Sequence, residues 1–160
     1  MFFSFPNPVN ENAARVVAGG VALLSLLALV TQWWVLLPLL ALGFVARVTT
    51  GPRFSPLVKV ATQVVAPRLP VKPVPGPPKR FAQGIGATVT TLATLLHFGF
   101  GADGLVLALL GLMVLFATLE SVFAICVGCR IFAGLMRVGL IPESVCLECA
   151  DLSRRHLSVG

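Results

Sequence analysis

Charge is what this sequence has little of: Asp, Glu, Lys and Arg together make up 11% of its 160 residues, while 57% is hydrophobic. A soluble domain needs charge to cover its surface, so this scarcity, with a mean hydropathy of +0.95, excludes an ordinary water-exposed fold and points to lipid. Acid is the scarcer sign, six residues against twelve Lys and Arg, giving a net charge of +6. A nucleic-acid surface would need aromatic or polar groups beside a basic face. Here the cations sit at the ends of apolar runs, so the expected partner is the bilayer and not nucleic acid. The first residues lack the basic start and A-x-A cleavage signal of a secretory leader, and they are expected to be retained. Cysteine is missing before Cys126. All four thiols lie in CVGCRIFAGLMRVGLIPESVCLEC, Cys126 to Cys149.

The apolar runs define an all-α membrane protein with four transmembrane helices in two hairpins. Residues 13–31 form the first span, with Asn10 or Asn12 as its cap and Ala14, Ala18, Ala22 and Ser25 as a stripe that lets another helix approach. Gln32-Trp33-Trp34 marks an interfacial turn, and 33–49 forms a short second span with Pro38 near its start. Gly51-Pro52 stops that helix and Ser55-Pro56 starts an interfacial amphipathic helix over 57–66. A proline-rich strap, 67–80, is expected to be extended. The third span, 81–99, carries Gly84, Thr88 and Thr91 on one stripe, and GADG turns it into the fourth, 105–127. The phrases AARVVAGG and KRFAQGIG, each followed by two spans, suggest a parallel duplication.

Four spans place every Lys and Arg on one side: Arg15, Arg47, Arg53, Lys59, Arg68, Lys72, Lys79, Arg80, Arg130, Arg137, Arg154 and Arg155. By the positive-inside rule this predicts a multi-pass protein of the inner (plasma) membrane with both termini cytoplasmic. The cysteine module, 126–152, then lies on the cytoplasmic face as a short helical hairpin: RIFAGLMRV forms one arm, Gly139 ends it, and Pro142 opens the other.

Cys126 and Cys129 are separated from Cys146 and Cys149 by a spacing that fits a four-thiolate zinc site. The competing reading is dithiol redox chemistry, which needs a thiol made acidic by a helix N-terminus or a cation. If the fourth helix runs through Cys126, its dipole opposes a thiolate there, although Arg130 helps. Cys146 gains a little from the helix start at Pro142, against Glu143 and Glu148. A structural disulfide is disfavoured by a reducing cytoplasm. No cofactor is demanded by the sequence, and zinc is the alternative to redox use. Either use needs the two pairs near one another. Glu120, the fourth span's acid, is expected to make a structural ion pair with an arginine, Arg47 being the candidate. His97 and Asp103 are expected together at the far face.

The phrases FPNPVNENAARVVAG, ARVTTGPRFSPL, PVPGPPKRFAQGIG, ATLESVFAICVGC and GLIPESVCLECADLSRR resemble the bacterial membrane family catalogued as domain of unknown function 4395. The resemblance implies an integral membrane protein without an assigned activity, whose relatives are encoded beside thioredoxin-like and sulfurtransferase proteins. It implies such a protein as partner and shifts weight from zinc to a thiol or sulfur relay, with Cys126, Cys129, Cys146, Cys149 and Glu120 as the residues concerned.

Overall fold

The computed structural model describes residues 7–51, 54–147 and 149. Pro52, Arg53, Glu148, Arg154, Arg155 and the end of the cysteine module, 150–152, fall outside the described residues.

Helix α1, Glu11–Thr31, begins at Asn10, whose side chain accepts from the Asn12 backbone N–H, and ends where Gln32 turns left-handed. Helix α2, Leu36–Thr50, carries Pro38 in its first turn, where no intrahelical N–H is needed, and stops at Gly51 with φ 67°. Ser55 caps α3, Pro56–Val60, which widens into a π turn at Ala61–Val65 and a 3-10 turn at Ala66–Arg68. Helix α4, Gly76–Phe100, turns at Gly101 into α5, Asp103–Phe123. Helix α6, Val127–Arg137, and a 3-10 turn, Glu143–Val145, complete the described elements.

The strap is shorter than the prolines suggest. Gly76, Pro77 and Pro78 lie inside the first turn of α4, because proline's missing N–H is an orphan there and its fixed φ suits a helix start. What remains extended is tied down. Pro73–Val74 (β2) pairs antiparallel with Val9–Asn10 (β1), Lys72 meets Glu11 at 2.6 Å, and Asn7 accepts from the Gly76 N–H at 2.9 Å. The strap therefore holds the start of α4 beside the start of α1.

Two helices, α1 and α5, are long and apolar enough to cross a membrane. Helix α4 is longer, but Lys79, Arg80, Gln83 and its threonines dilute it; α2 is shorter, about 22 Å at 1.5 Å per residue. The two hairpins do not pack as separate pairs. Helix α1 packs chiefly on α5 and α2 chiefly on α4, while α1 and α2 touch little. Ala28, Leu37, Ala93, Val106 and Leu110 form the core toward the Trp34 end, and Val21, Leu40, Phe44, Met113 and Ala117 the core above it. The small-residue stripe of α1 is buried at Ala18 and Ser25, as its spacing predicts. On α4 the buried stripe is Gly86, Thr90 and Ala93, one face round from Gly84, Thr88 and Thr91. The Phe44 ring lies against Gly86 so closely that a Cβ there would overlap it.

The polar groups gather at one end. Arg15 of α1 donates to the Ser121 and Val122 carbonyls at the end of α5, both at 3.0 Å, and Arg80 of α4 donates to the Val48 carbonyl of α2 at 3.2 Å. Each guanidinium satisfies carbonyls that a helix end leaves unpaired. At the other end His97 and Asp103 meet at 2.6 Å, with Trp34 stacked on the imidazole at 4.4 Å.

Candidate functional site around Cys126 and Cys129

Helix α5 stops earlier than its apolar run. Ala124 takes a left-handed conformation (φ 57°), the Ile125 N–H reaches back to the Leu119 carbonyl at 3.0 Å, and the chain leaves the helix axis. Cys126 then stands in extended conformation as the N-cap of α6, and its sulfur accepts from the Cys129 N–H at 3.3 Å. The expectation that the fourth helix runs to 127 is thus corrected. Cys126 faces the positive end of a new helix instead of the negative end of the old one. The glycine of the C-x-x-C is part of the arrangement: a Cβ on Gly128 would come within 2.6 Å of the Ala82 Cα, so only glycine lets α6 seat its first turn on α4. Phe132 fixes the next turn, its ring 5.6 Å from that of Phe81.

Beneath the pair lies a partly buried ion pair. Lys79 Nζ and Glu120 Oε1 are 2.7 Å apart, with side chains 8% and 17% exposed. Glu120 does pair with a cation from another helix, but the cation is Lys79 and not Arg47. Lys79 sits one turn into α4, directly opposite α5, where its flexible stem brings the ammonium onto the carboxylate. Arg47 instead lays its guanidinium over the Phe44 ring at 4.3 Å.

Cys126 is buried and Cys129 half-buried. Both line a cavity of about 300 Å³ together with Lys79, Pro78 and Arg130. Hydrogen bonding from Cys129, and after it the Lys79 charge, hold the Cys126 thiol below its ordinary value, although burial and the Glu120 carboxylate oppose this. The same sulfur–sulfur hydrogen bond, then burial, push Cys129 well up. The pair is thereby divided into one thiol disposed to ionise and one that keeps its proton.

Cys146 and Cys149 are joined to each other in a disulfide, with Cα atoms 5.3 Å apart. The expectation of reduced thiols here is corrected. The 3-10 turn of Glu143–Val145 and the Cys149 N–H bond to the Cys146 carbonyl at 3.1 Å coil the chain so that the two sulfurs meet. Nor are the four sulfurs gathered at one centre. Among the described residues no group of three or more His, Cys, Asp or Glu is placed to hold a metal. With two of the four sulfurs bonded to each other, the ligand set does not fit a tetrahedral zinc.

Residues 9–137 match the family model for the domain of unknown function DUF4395. The chain belongs to that family. The matched region includes Cys126 and Cys129 and stops before Cys146, so the family model covers the first pair and not the second. No curated protein and no solved structure matches the chain.

Proposed function

We propose that this DUF4395 member is a four-span membrane protein in which Cys126 and Cys129 exchange electrons with a dithiol or disulfide protein at the charged face. The observation that carries the reading is the placement of Cys126 at the α6 N-terminus, hydrogen-bonded by the Cys129 N–H, in a cavity that Lys79 also lines. In this step the Cys126 thiolate attacks one sulfur of a partner disulfide, giving a mixed disulfide and releasing a partner thiolate. Cys129 then loses its proton and attacks Cys126, which releases the second partner thiolate. Two electrons and two protons pass to the partner, and a Cys126–Cys129 disulfide remains.

Four spans are supported by apolar side chains turned outward on every long helix, among them Leu23, Leu42, Leu95 and Leu115. A bilayer covers such a surface and water does not. The clustering of Arg15, Arg47, Lys79 and Arg80 at one end supports a cytoplasmic location of that end, with both termini on the same side and the protein in the plasma membrane.

Alkylation of the purified full chain, followed over pH by mass spectrometry, tests the chemistry. Cys126 is expected to react faster than Cys129, and to slow as pH falls through a pKa lying below the ordinary thiol value of 9.0. A Cys129→Ala variant should trap a thioredoxin-like disulfide protein in a reductant-sensitive adduct that Cys126→Ala does not form. Equal reactivity of the two thiols, no adduct, or a tightly held zinc lost when any one cysteine is replaced would each overturn the reading.

A further inference from the structure

A second cavity, of about 240 Å³, lies on the other side of Lys79, between α1, α2, α3 and α4. Its wall is apolar, made by Ala13, Ala14, Val17 and Val58, and its polar lining includes Arg47 and Gln83. Two features mark it as more than a packing gap. Arg47 is 4% exposed, and its Nε has no hydrogen-bond partner; the Gln83 Oε1 is also buried without one. The nearby acid, Glu120, is in contact with Lys79 and forms no ion pair with Arg47. A guanidinium withdrawn from water and bonded to no carboxylate is costly to maintain, and the Phe44 ring contacts its face without accepting its N–H groups.

The local charges leave a remainder. Arg47 and Lys79 supply two positive charges and Glu120 one negative, so one further anion neutralises the cluster. We propose that this cavity binds an oxyanion, phosphate or carboxylate, carried on an apolar chain, with Arg47 as the anchor of the charged head. A planar guanidinium meets such a head with directed N–H donors. The Gln83 amide, turned about its last torsion, presents its N–H₂ to the same oxygens. A volume of 240 Å³ holds a head and the first carbons of a chain, and is too small for a whole lipid. The remaining carbons would lie along the outward-facing apolar surface beside Val60 and Val64 of the amphipathic segment. This inference is independent of the thiol chemistry.

The head could come from an anionic membrane lipid or from a free acid, and one experiment separates them. The delipidated full chain in non-ionic detergent is titrated with phosphatidylglycerol, phosphatidylcholine or inorganic phosphate, reading the thermal midpoint and the bound species by native mass spectrometry. Phosphatidylglycerol is expected to raise the midpoint and to remain bound as a single molecule, with phosphatidylcholine and phosphate giving no shift. Arg47→Gln should weaken this binding at least ~10-fold, the equivalent of about 1.4 kcal/mol. Ala14→Leu, which fills the apolar wall and leaves the guanidinium in place, should abolish it. A shift produced by phosphate alone and lost in Arg47→Gln would keep the anion site and assign it to a free acid. Equal stabilisation by phosphatidylcholine, or a phosphatidylglycerol shift that survives in both variants, would overturn the proposal. If Arg47→Gln does not fold, a shift retained in Ala14→Leu is sufficient to overturn it.

Discussion

The first hairpin with its following helix (α1, α2, α3) and the second with its own (α4, α5, α6) repeat one plan. In each, the first helix packs on the second helix of the other half, and an arginine near its start binds the carbonyls ending that partner: Arg15 on Ser121 and Val122, Arg80 on Val48. In each, the short helix that follows folds back onto the first. Val58 and Ala61 pack on Val17 of α1, and Gly128 packs on Ala82 of α4. Two of the differences between the halves bear on the site. The last turns of α2 carry Arg47 where those of α5 carry Glu120, and the cap of α3 is Ser55 where the cap of α6 is Cys126. The shared plan is scaffold. The proposed chemistry rests on a change of charge sign and an exchange of oxygen for sulfur at matching positions.

The largest effect should come from the charge difference. Lys79→Ala leaves the partly buried Glu120 carboxylate without its contact cation and should cost about 2–4 kcal/mol, somewhat below a fully buried pair. The double variant Lys79→Met/Glu120→Leu should recover most of that, as measured by denaturation in detergent micelles. Arg47→Leu should cost much less, because no carboxylate is bonded to Arg47. If it costs as much as Lys79→Ala, Glu120 is shared between both cations and the contrast between the halves fails.

Next in size is Gly128→Val, expected to cost about 1–3 kcal/mol by forcing α6 off α4. It should also remove the reactivity difference between Cys126 and Cys129 while leaving the four long helices intact by circular dichroism. The smallest effects belong to the features that the halves share. Arg15→Ala should cost about 1–2 kcal/mol and Arg80→Ala about 1 kcal/mol, in the order of two carbonyl bonds against one. An Arg80→Ala loss exceeding that of Arg15→Ala would show that the two clasps are not equivalent.

Much of this was legible in the residues. Asn10 and Gly51 begin and end helices where side chain and φ preference say they should, and Pro56 starts α3 at the first helical position, because capping is a local property. Glu120 was recognisable as the acid that had to find a cation. Its partner was not, since Arg47 and Lys79 both approach the same depth and only the packing of α5 against α4 decides between them. The end of α5 was missed because nothing in LESVFAIC breaks a helix by composition, and Ala124 turns left-handed under tertiary constraint. That one residue reverses the electrostatics at Cys126. The α4 stripe was misplaced by one face because Gly84 and Gly86 are equivalent by propensity, and it is the bulk of Phe44 across the interface that selects Gly86.

The exchange of partners between the halves bears on how the chain is made. When the ribosome has completed α2, neither α1 nor α2 has met its main partner, because those partners are α5 and α4. About 70 residues must still be synthesised before α5 is complete, several seconds or more at roughly 5–20 residues per second. During that interval Arg15 and Arg47 lack their final neighbours, and α1 and α2 have little contact with each other to hold them. If the chain spans the membrane as proposed, the first half waits, held by the insertion machinery or by lipid at its charged end, until the second half arrives to close around it.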